Sequence, residues 1–457
     1  MRKGLKKKSS VLIVGAGPSG VACAKEAALK GFKVTVVEAG LPTSQRICPA
    51  KTSGKGCVGC PTCAIMQGFG GAGAFSDGKF TMPQAPGPYH IGGELPRYIG
   101  YDRTNELIMN QFYDDLQHGG VDNIIKDVSS TYVQKLDETL HRVGLYRAHA
   151  DVNHLGTSRV QAIYSSYLEE LQDLGVNILF KTRVKDLIIS DKTVLGVITD
   201  SGEKILADNV VVATGRSGAS WFSEMIKKYH FPKKASVADF GFRVEVPSKY
   251  MEDLNRNLYE AKIIGAYGDM TVRMFCTNPD GAVVTERTDD IPYVNGHSDI
   301  KPLSQNTNFA VLVTTPRYTQ EMVKKIAKRI ASAGNGQPLV QRYVDLLNNV
   351  PSTWEDIQHN SPTLASAHPG NLAKFFPKEE LNAIHKYMAA LKTVLPGLTD
   401  NEILVYGLEA KFCHPGLELT PELRVKGWNL FVIGDAGVTH GLASANASGR
   451  HIVDFLE

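Results

Sequence analysis

The stretch VLIVGAGPSG at residues 11–20 decides the fold. An apolar, β-branched run enters a glycine turn, and VACAKEAALKG follows at 21–31 as an alanine-rich helix stopped by Gly31. Strand, turn and helix in that order supply what a dinucleotide pyrophosphate needs. Gly15 permits the tight turn, Gly17 lets the backbone come close to the phosphates, and Gly20 lets the helix pack on the strand; Pro18 and Ser19 open the helix whose N-terminus holds negative charge. KVTVV at 33–37 is then the second strand, and Glu38, with Ala39 after it, closes the site about 20 residues past the glycines. A carboxylate there accepts both ribose hydroxyls. That favours the unphosphorylated ribose of FAD or NAD over NADP.

Two later segments choose between these. VVVATGRSG at 210–218 is a buried strand running into a glycine turn, and LFVIGDAGVTHGLASANASG at 430–449 is another strand passing through Gly434 and Asp435 into a small-residue helix. Taken with the first segment, they resemble the opening fingerprint, ATG turn and closing GD motif of FAD-dependent oxidoreductases of the glutathione-reductase-like class. The resemblance implies a Rossmann-like α/β FAD domain. It also implies that Asp435 binds the ribityl chain and that Thr214, Gly215, Gly434, Gly441 and Leu442 line the cofactor. The helix from about Val438 would aim its N-terminal dipole at the flavin N1 and C2 carbonyl. The backbone near Val184 would reach the adenine. The loop GFGGAG at 68–73 follows no strand, so Gly70 and Gly71 read as a flavin-facing loop whose amides approach N5 or the pyrophosphate.

A closer resemblance spans nearly the whole chain. CAIMQGFGGAGAFSDGKFT at 63–81, HLGTSR at 154–159, FGFRVEVP at 240–247, FCTNPDGAVV at 275–284 and YGLEAKF at 406–412 are similar to a family of bacterial and archaeal FAD-dependent dehydrogenases. The chain departs from that family after Cys276. Where a second cysteine and paired glycines are expected it has Thr277, Asn278, Pro279 and Asp280.

The 457 residues, 43% hydrophobic and 21% charged, allow two or three units with a large core. Residues 1–234 read as the first two parts of the FAD domain, with a Cys- and Gly-rich excursion at 41–100 and helices at 104–148. In this stretch a helix with Thr157 or Ser158 as N-cap and Gly175 as C-terminal stop precedes a meander of short strands up to the ATG turn. Residues 235–395 read as an inserted α+β substrate domain covering the isoalloxazine. Its expected strands are SVADFGFRVEV and NFAVLVTT, and its expected helices are EMVKKIAKRIASAG, PLVQRYVDLLNNV and KEELNAIHKYMAALKTVLPG. Residues 396–457 read as a return to the FAD domain. No apolar run approaches the roughly 20 residues of a membrane span. The basic MRKGLKKKSS precedes only VLIV, which reads as a strand and not a signal, so the expectation is a cytoplasmic protein. A net charge of +3 with mixed signs gives no footprint for nucleic acid.

Cys48, Cys57, Cys60 and Cys63 crowd into one short segment. Their spacing is open to a [4Fe-4S] cluster, a zinc site, a redox-active disulfide, or structural thiols. The chain has no second GxGxxG preceded by a strand between 220 and 400. Electrons must then come from a transient NAD(P)H, a protein donor, or the small-molecule substrate itself. For proton handling at the flavin the candidates are His440 after the GD motif, Cys276, and Glu409 with Lys411, which share one face of a strand. The expected activity is hydride transfer between flavin N5 and a small organic substrate. Two alternatives stay open: a carbon-carbon double-bond reductase resembling geranylgeranyl reductases, and an electron-transfer or redox-sensing flavoprotein working through the cysteine cluster.

Overall fold

The computed structural model describes residues 9–49, 60–76, 78–83, 93–120, 130–148, 150–234, 237–258, 261–288, 291–298, 302–412 and 416–457. The chain divides into two units, one of Met1–Lys126, Ala150–Lys234 and His414–Glu457, the other of Asp127–His149 and Ala235–Cys413.

In the first unit Ser10–Val14 is the middle strand of a five-stranded sheet. Asn209–Val212 and then Leu430–Val432 lie on one side of it, Lys33–Val37 and then Asn177–Leu179 on the other, and every pairing is parallel. The strands are almost uniformly apolar because both faces are covered. Alternate residues serve opposite sides. Leu12, Val14, Val210 and Val212 pack with Leu187, Val194 and Val197 of an antiparallel sheet made by Val184–Ser190, Thr193–Thr199 and Lys204–Leu206. Val11, Ile13, Val36 and Val211 pack with Ala24, Ala27, Ala443 and Ala447 of two helices, Pro18–Leu29 and Leu442–His451. Small residues let those helices nearly touch. A Cβ on Gly449 would lie 2.1 Å from the Ser19 carbonyl oxygen.

The second unit is built on an eight-stranded sheet. Its order is His368–Pro369, Leu339–Arg342, Leu404–Phe412, Val237–Pro247, Asn306–Thr319, Met270–Asn278, Ile263–Tyr267, Leu145–Arg147. Apolar residues of the helices Gln320–Ala333 and Lys378–Leu391 share its core. Three expectations change here. Residues 404–412 do not belong with the C-terminal segment of the first unit, because they pair with Val237–Pro247, Ala410 opposite Phe240 and Glu409 opposite Gly241. The helical stretch expected at 104–148 is shared between the units, with Tyr101–Gln117 in the first and Thr131–Arg142 in the second. And PLVQRYVDLLNNV is not one helix: Leu339–Arg342 is a strand opposite 404–407, and only Tyr343–Leu347 turns helical. A short apolar run that fills a sheet position reads the same as a buried helical turn. The Thr157–Asp173 helix forms, but its N-cap is Gly156 and not Thr157 or Ser158, and no side chain caps it.

A buried polar network ties the helices of the first unit together. Lys25 reaches Asp114 at 3.2 Å and Glu170 at 3.1 Å, and Arg450 reaches Asp114 at 2.7 Å. Beside it Asp115 accepts from Tyr167 Oη at 2.7 Å and Gln111 Nε2 at 2.9 Å, both on one carboxylate oxygen. Burial pushes the Asp115 carboxyl up to about 6, against the pull of those two donors. A carboxyl raised in the folded state stabilises the fold most in acid and loses that contribution as pH rises from about 4 to about 6. Asn in its place keeps the acceptor and removes the ionisation. Asp115→Asn should therefore gain on the wild type by up to about 3 kcal/mol between about pH 4 and about pH 7. Urea unfolding midpoints at the two pH values check this, and an equal difference at both would refute it.

Candidate functional site

Glu38 gathers three separate pieces of chain. Its Oε2 accepts from the Ala16 amide at 2.8 Å, and its Oε1 accepts from Gly40 at 2.8 Å and Gly68 at 2.9 Å. Ala16 belongs to the glycine turn, Gly40 to the end of the second strand, and Gly68 to the loop after the cysteines. The carboxylate is buried. A carboxylate has about four lone-pair directions, and three are taken by amides, so one stays open for a ribose hydroxyl.

Arg46 locks the same loop from the other side. Its guanidinium donates to the carbonyl oxygens of Ala64 at 2.8 Å, Ile65 at 2.7 Å and Phe69 at 2.7 Å, and it lies over the Phe75 ring at 4.3 Å. Burial pushes its pKa down to about 10, opposed by the Glu38 carboxylate. At neutral pH it still carries its charge. Nothing in the sequence marked this residue, since one arginine in a Pro- and Cys-containing stretch has no period to read. The clamp also corrects the expectation for Gly70 and Gly71. Their amides are spent inside the protein, Gly70 on the Ala16 carbonyl at 2.8 Å and Gly71 on the Gly68 carbonyl at 2.8 Å, and are not offered to a ligand.

The motifs converge at the ends of the parallel strands. A Cβ on Gly15 would lie 2.6 Å from Ala213 O, one on Gly71 3.0 Å from Gly17 Cα, and one on Gly434 2.4 Å from Ser19 Oγ. Gly434 also has φ +67°, so glycine is required there twice over. Around this junction several polar groups lack partners. Pro18–Leu29 begins at Gly17 and Leu442–His451 at Gly441, neither with a side-chain cap, so their first-turn amides are open. Thr214 Oγ1 and Ser444 Oγ are buried without a hydrogen-bond partner. Asp435 lies 4.0 Å from Arg216 and accepts from Thr439 Oγ1 at 3.4 Å. His440 directly precedes Gly441, and Val184 opens the strand paired with Thr193–Thr199, where it is buried. Next to Glu38, Ala39, Gly40, Arg46, Lys181, Arg183 and Asp200 line a cavity of about 550 Å³. A second depression, lined by Glu422, Arg424, Asp454 and Glu457 among others, holds none of the candidate residues. Two open helix ends, a free lone pair on Glu38, two orphaned hydroxyls and an adjoining cavity fit a dinucleotide.

The remaining candidates lie elsewhere. Cys276, Glu409 and Lys411 are all in the second unit, where Lys411 Nζ donates to Cys276 Sγ at 3.2 Å. Glu409 lies 3.5 Å from Arg243 as a buried pair, and burial pushes its carboxyl up despite the Arg243 and Lys411 charges. Of the cysteine cluster, Cys57 lies outside the described residues, while Cys48, Cys60 and Cys63 are reduced thiols of intermediate exposure. Among the described residues no group of three His, Cys, Asp or Glu side chains is placed to hold a metal ion. The geometry therefore gives no support to iron-sulfur or zinc ligation. No described helix is long and apolar enough to cross a membrane.

Two family models match parts of the chain: an NAD(P)-binding Rossmann-like domain over residues 13–44, and glucose inhibited division protein A over residues 148–237. No protein of curated function matches it in sequence. Among solved structures the chain is similar to glycine oxidase from Bacillus cereus ATCC 14579 at 13% identity and TM-score 0.38, covering 98% of this chain and 95% of that one. It is also similar to L-proline dehydrogenase from P. horikoshii, at 11% identity and TM-score 0.36, covering 98% and 92%. A third is the fructosamine oxidase of Aspergillus fumigatus, at 13% identity and TM-score 0.38, covering 98% and 86%. These are distant likenesses. The Rossmann-like assignment rests on the parallel sheet, its glycine turn and the first family match.

Glu38→Gln keeps the size of the side chain but turns one acceptor oxygen into a donor that faces a backbone amide. It should cost about 1–3 kcal/mol of stability even without cofactor, through the amide left unpaired. Urea unfolding of the apoprotein measures this, and an unchanged midpoint would show that Glu38 does not hold the three segments together.

Proposed function

We propose that this protein is an FAD-dependent oxidoreductase that moves a hydride between its flavin and a small organic molecule. The observation that carries the reading is the convergence of Gly15–Gly20, Ala213–Thr214 and Gly434 at one end of a parallel sheet, beside a buried Glu38. Bound FAD would supply a two-electron acceptor and donor. The residues of the chain would do the rest. The open amides at the start of Pro18–Leu29 suit the pyrophosphate, and the remaining lone pair of Glu38 suits a ribose hydroxyl. Asp435 suits the ribityl chain, and Thr214 and Ser444 offer hydroxyls that have no partner in the protein. The uncapped N-terminus of Leu442–His451 would favour negative charge close to its first turn. His440, directly ahead of that helix, is assigned the proton that accompanies the hydride. The second unit is assigned to substrate selection.

The chain purified as expressed should carry about one FAD, seen as visible flavin bands and identified after denaturation as FAD rather than FMN. Glu38→Ala and Gly17→Glu should be colourless and stay so on adding FAD. A wild-type chain that is colourless and takes up no FAD would overturn the reading. His440→Asn should keep the flavin. Once a substrate is found, this variant should be reduced by it about 10²- to 10⁴-fold more slowly, the usual contribution of a placed general acid or base; an unchanged rate would remove His440 from the mechanism.

A further inference from the structure

The second unit contains a polar cluster that the flavin chemistry does not use. Cys276 sits in Met270–Asn278 with φ +53°, a left-handed backbone that non-glycine residues rarely take, at a point where the pairing with Asn306–Thr319 slips between Phe275 and Asn278. The irregularity is held in place. The Cys276 carbonyl accepts from Arg243 at 2.8 Å and from Asn278 Nδ2 at 3.0 Å. Lys411 is pinned between the Cys276 sulfur at 3.2 Å and the Phe275 ring at 3.8 Å. Arg243, fully buried, joins this group to Glu409 through its other terminal nitrogen.

What makes this more than a packed cysteine is its unmet hydrogen-bonding capacity. Glu409 is 3% exposed and its Oε2 has no partner; Asn308, 0% exposed and bound to Arg243 through its carbonyl oxygen, has an unpartnered Nδ2. Buried polar atoms are rarely left so unless something else meets them. Glu409 and Lys411 leave the same face of one strand, and Arg243 links the Glu409 carboxylate to the Cys276 carbonyl, so the acid and the cysteine share one guanidinium. The thiol itself is partly exposed.

We propose that Cys276 is a nucleophilic thiol that reacts with small hydroperoxides, with Lys411 holding charge on the sulfur and Glu409 supplying the proton for the leaving group. In the step, the thiolate sulfur attacks the terminal oxygen of R–O–OH. A sulfur–oxygen bond forms and the oxygen–oxygen bond breaks. Sulfur is oxidised by two electrons to the sulfenic acid, and the peroxide is reduced to an alkoxide, or to hydroxide from hydrogen peroxide. The alkoxide takes the Glu409 proton and leaves as alcohol, or as water. Burial, reinforced by Glu286, pushes the Glu409 carboxyl above its usual value against the opposing Arg243 and Lys411 charges. The class of oxidant follows from the surroundings. The cluster offers both a cation and an acid beside a partly exposed sulfur, which a hydroperoxide needs and a simple alkylating agent does not.

The test uses the whole flavin-containing protein, under anaerobic conditions, with hydrogen peroxide as the probe. Sulfenic acid is trapped by dimedone and located by peptide mass spectrometry, with Cys48, Cys60 and Cys63 as internal references. Cys276 should be labelled at least about tenfold faster than those cysteines, and Lys411→Met should remove about tenfold of that rate. Glu409→Gln should slow the reaction with peroxide by about 10²-fold or more, as loss of a general acid does, while leaving alkylation by iodoacetamide unchanged, because iodide departs without a proton. Equal labelling of all cysteines would overturn the proposal, and so would equal slowing of peroxide and iodoacetamide in Glu409→Gln, which would mark a structural role. Circular dichroism and urea midpoints confirm that the variants compared are folded. Loss of the flavin would leave this result standing, so its failure and that of the flavin assignment are distinguishable.

Discussion

One buried carboxylate sets the geometry of the first unit. Glu38 binds the amides of Ala16, Gly40 and Gly68 at once, so the glycine turn, the exit of the second strand and the loop beyond the cysteines are fixed relative to each other before any ligand arrives. Hydrogen bonds to an ionised acceptor are stronger than neutral ones, and burial removes the competition of water. Arg46 applies the complementary constraint by taking three carbonyls of the same loop. A carboxylate collecting amides and a guanidinium collecting carbonyls hold an irregular segment as firmly as a ladder would. The residues at the dinucleotide end are therefore pre-organised.

Much of this was legible in the sequence because it is periodic or glycine-dependent. VLIVGAGPSG, VVVATG and LFVIGD each gave a strand and a turn, and the sheet joins all three in parallel. Their order carries the fold because close approach at Gly15, Gly20 and Gly434 leaves no room for a side chain. The glycine loop at 68–73 was also visible, but its polarity was not: composition cannot say that Gly70 and Gly71 turn their amides inward to Ala16 and Gly68. Arg46 left no signal, since its partners are backbone carbonyls, which every residue has.

The second unit was harder to read for a different reason. Its sheet is assembled from strands far apart in sequence, and a residue such as Val340 looks the same in a strand or in a buried helical turn until its partner is known. Glu409 and Lys411 were correctly placed on one face of a strand, yet the neighbours that give them meaning, Arg243 and Cys276, come from two other strands. The cysteines at 48–63 are a different case. Local density in sequence left metal ligation, a disulfide and structural thiols open, and among the described residues no group of three ligand-type side chains forms to support the metal.

The interleaving of the two units imposes an order of events on synthesis. Every strand of the eight-stranded sheet has been synthesised once Phe412 is made, so the second unit has all its strands before the first unit has its last strand and helix. The first unit is completed last. Leu430–Val432 forms an edge of its parallel sheet, and Leu442–His451 covers one face beside Pro18–Leu29, so Leu12 to Val14 begin folding more than 400 residues ahead of the segments that complete their surroundings. Until then an apolar strand and an unpaired sheet edge stay exposed, the condition under which a nascent chain depends on chaperones and a C-terminal truncation of a few tens of residues is lost entirely rather than merely weakened.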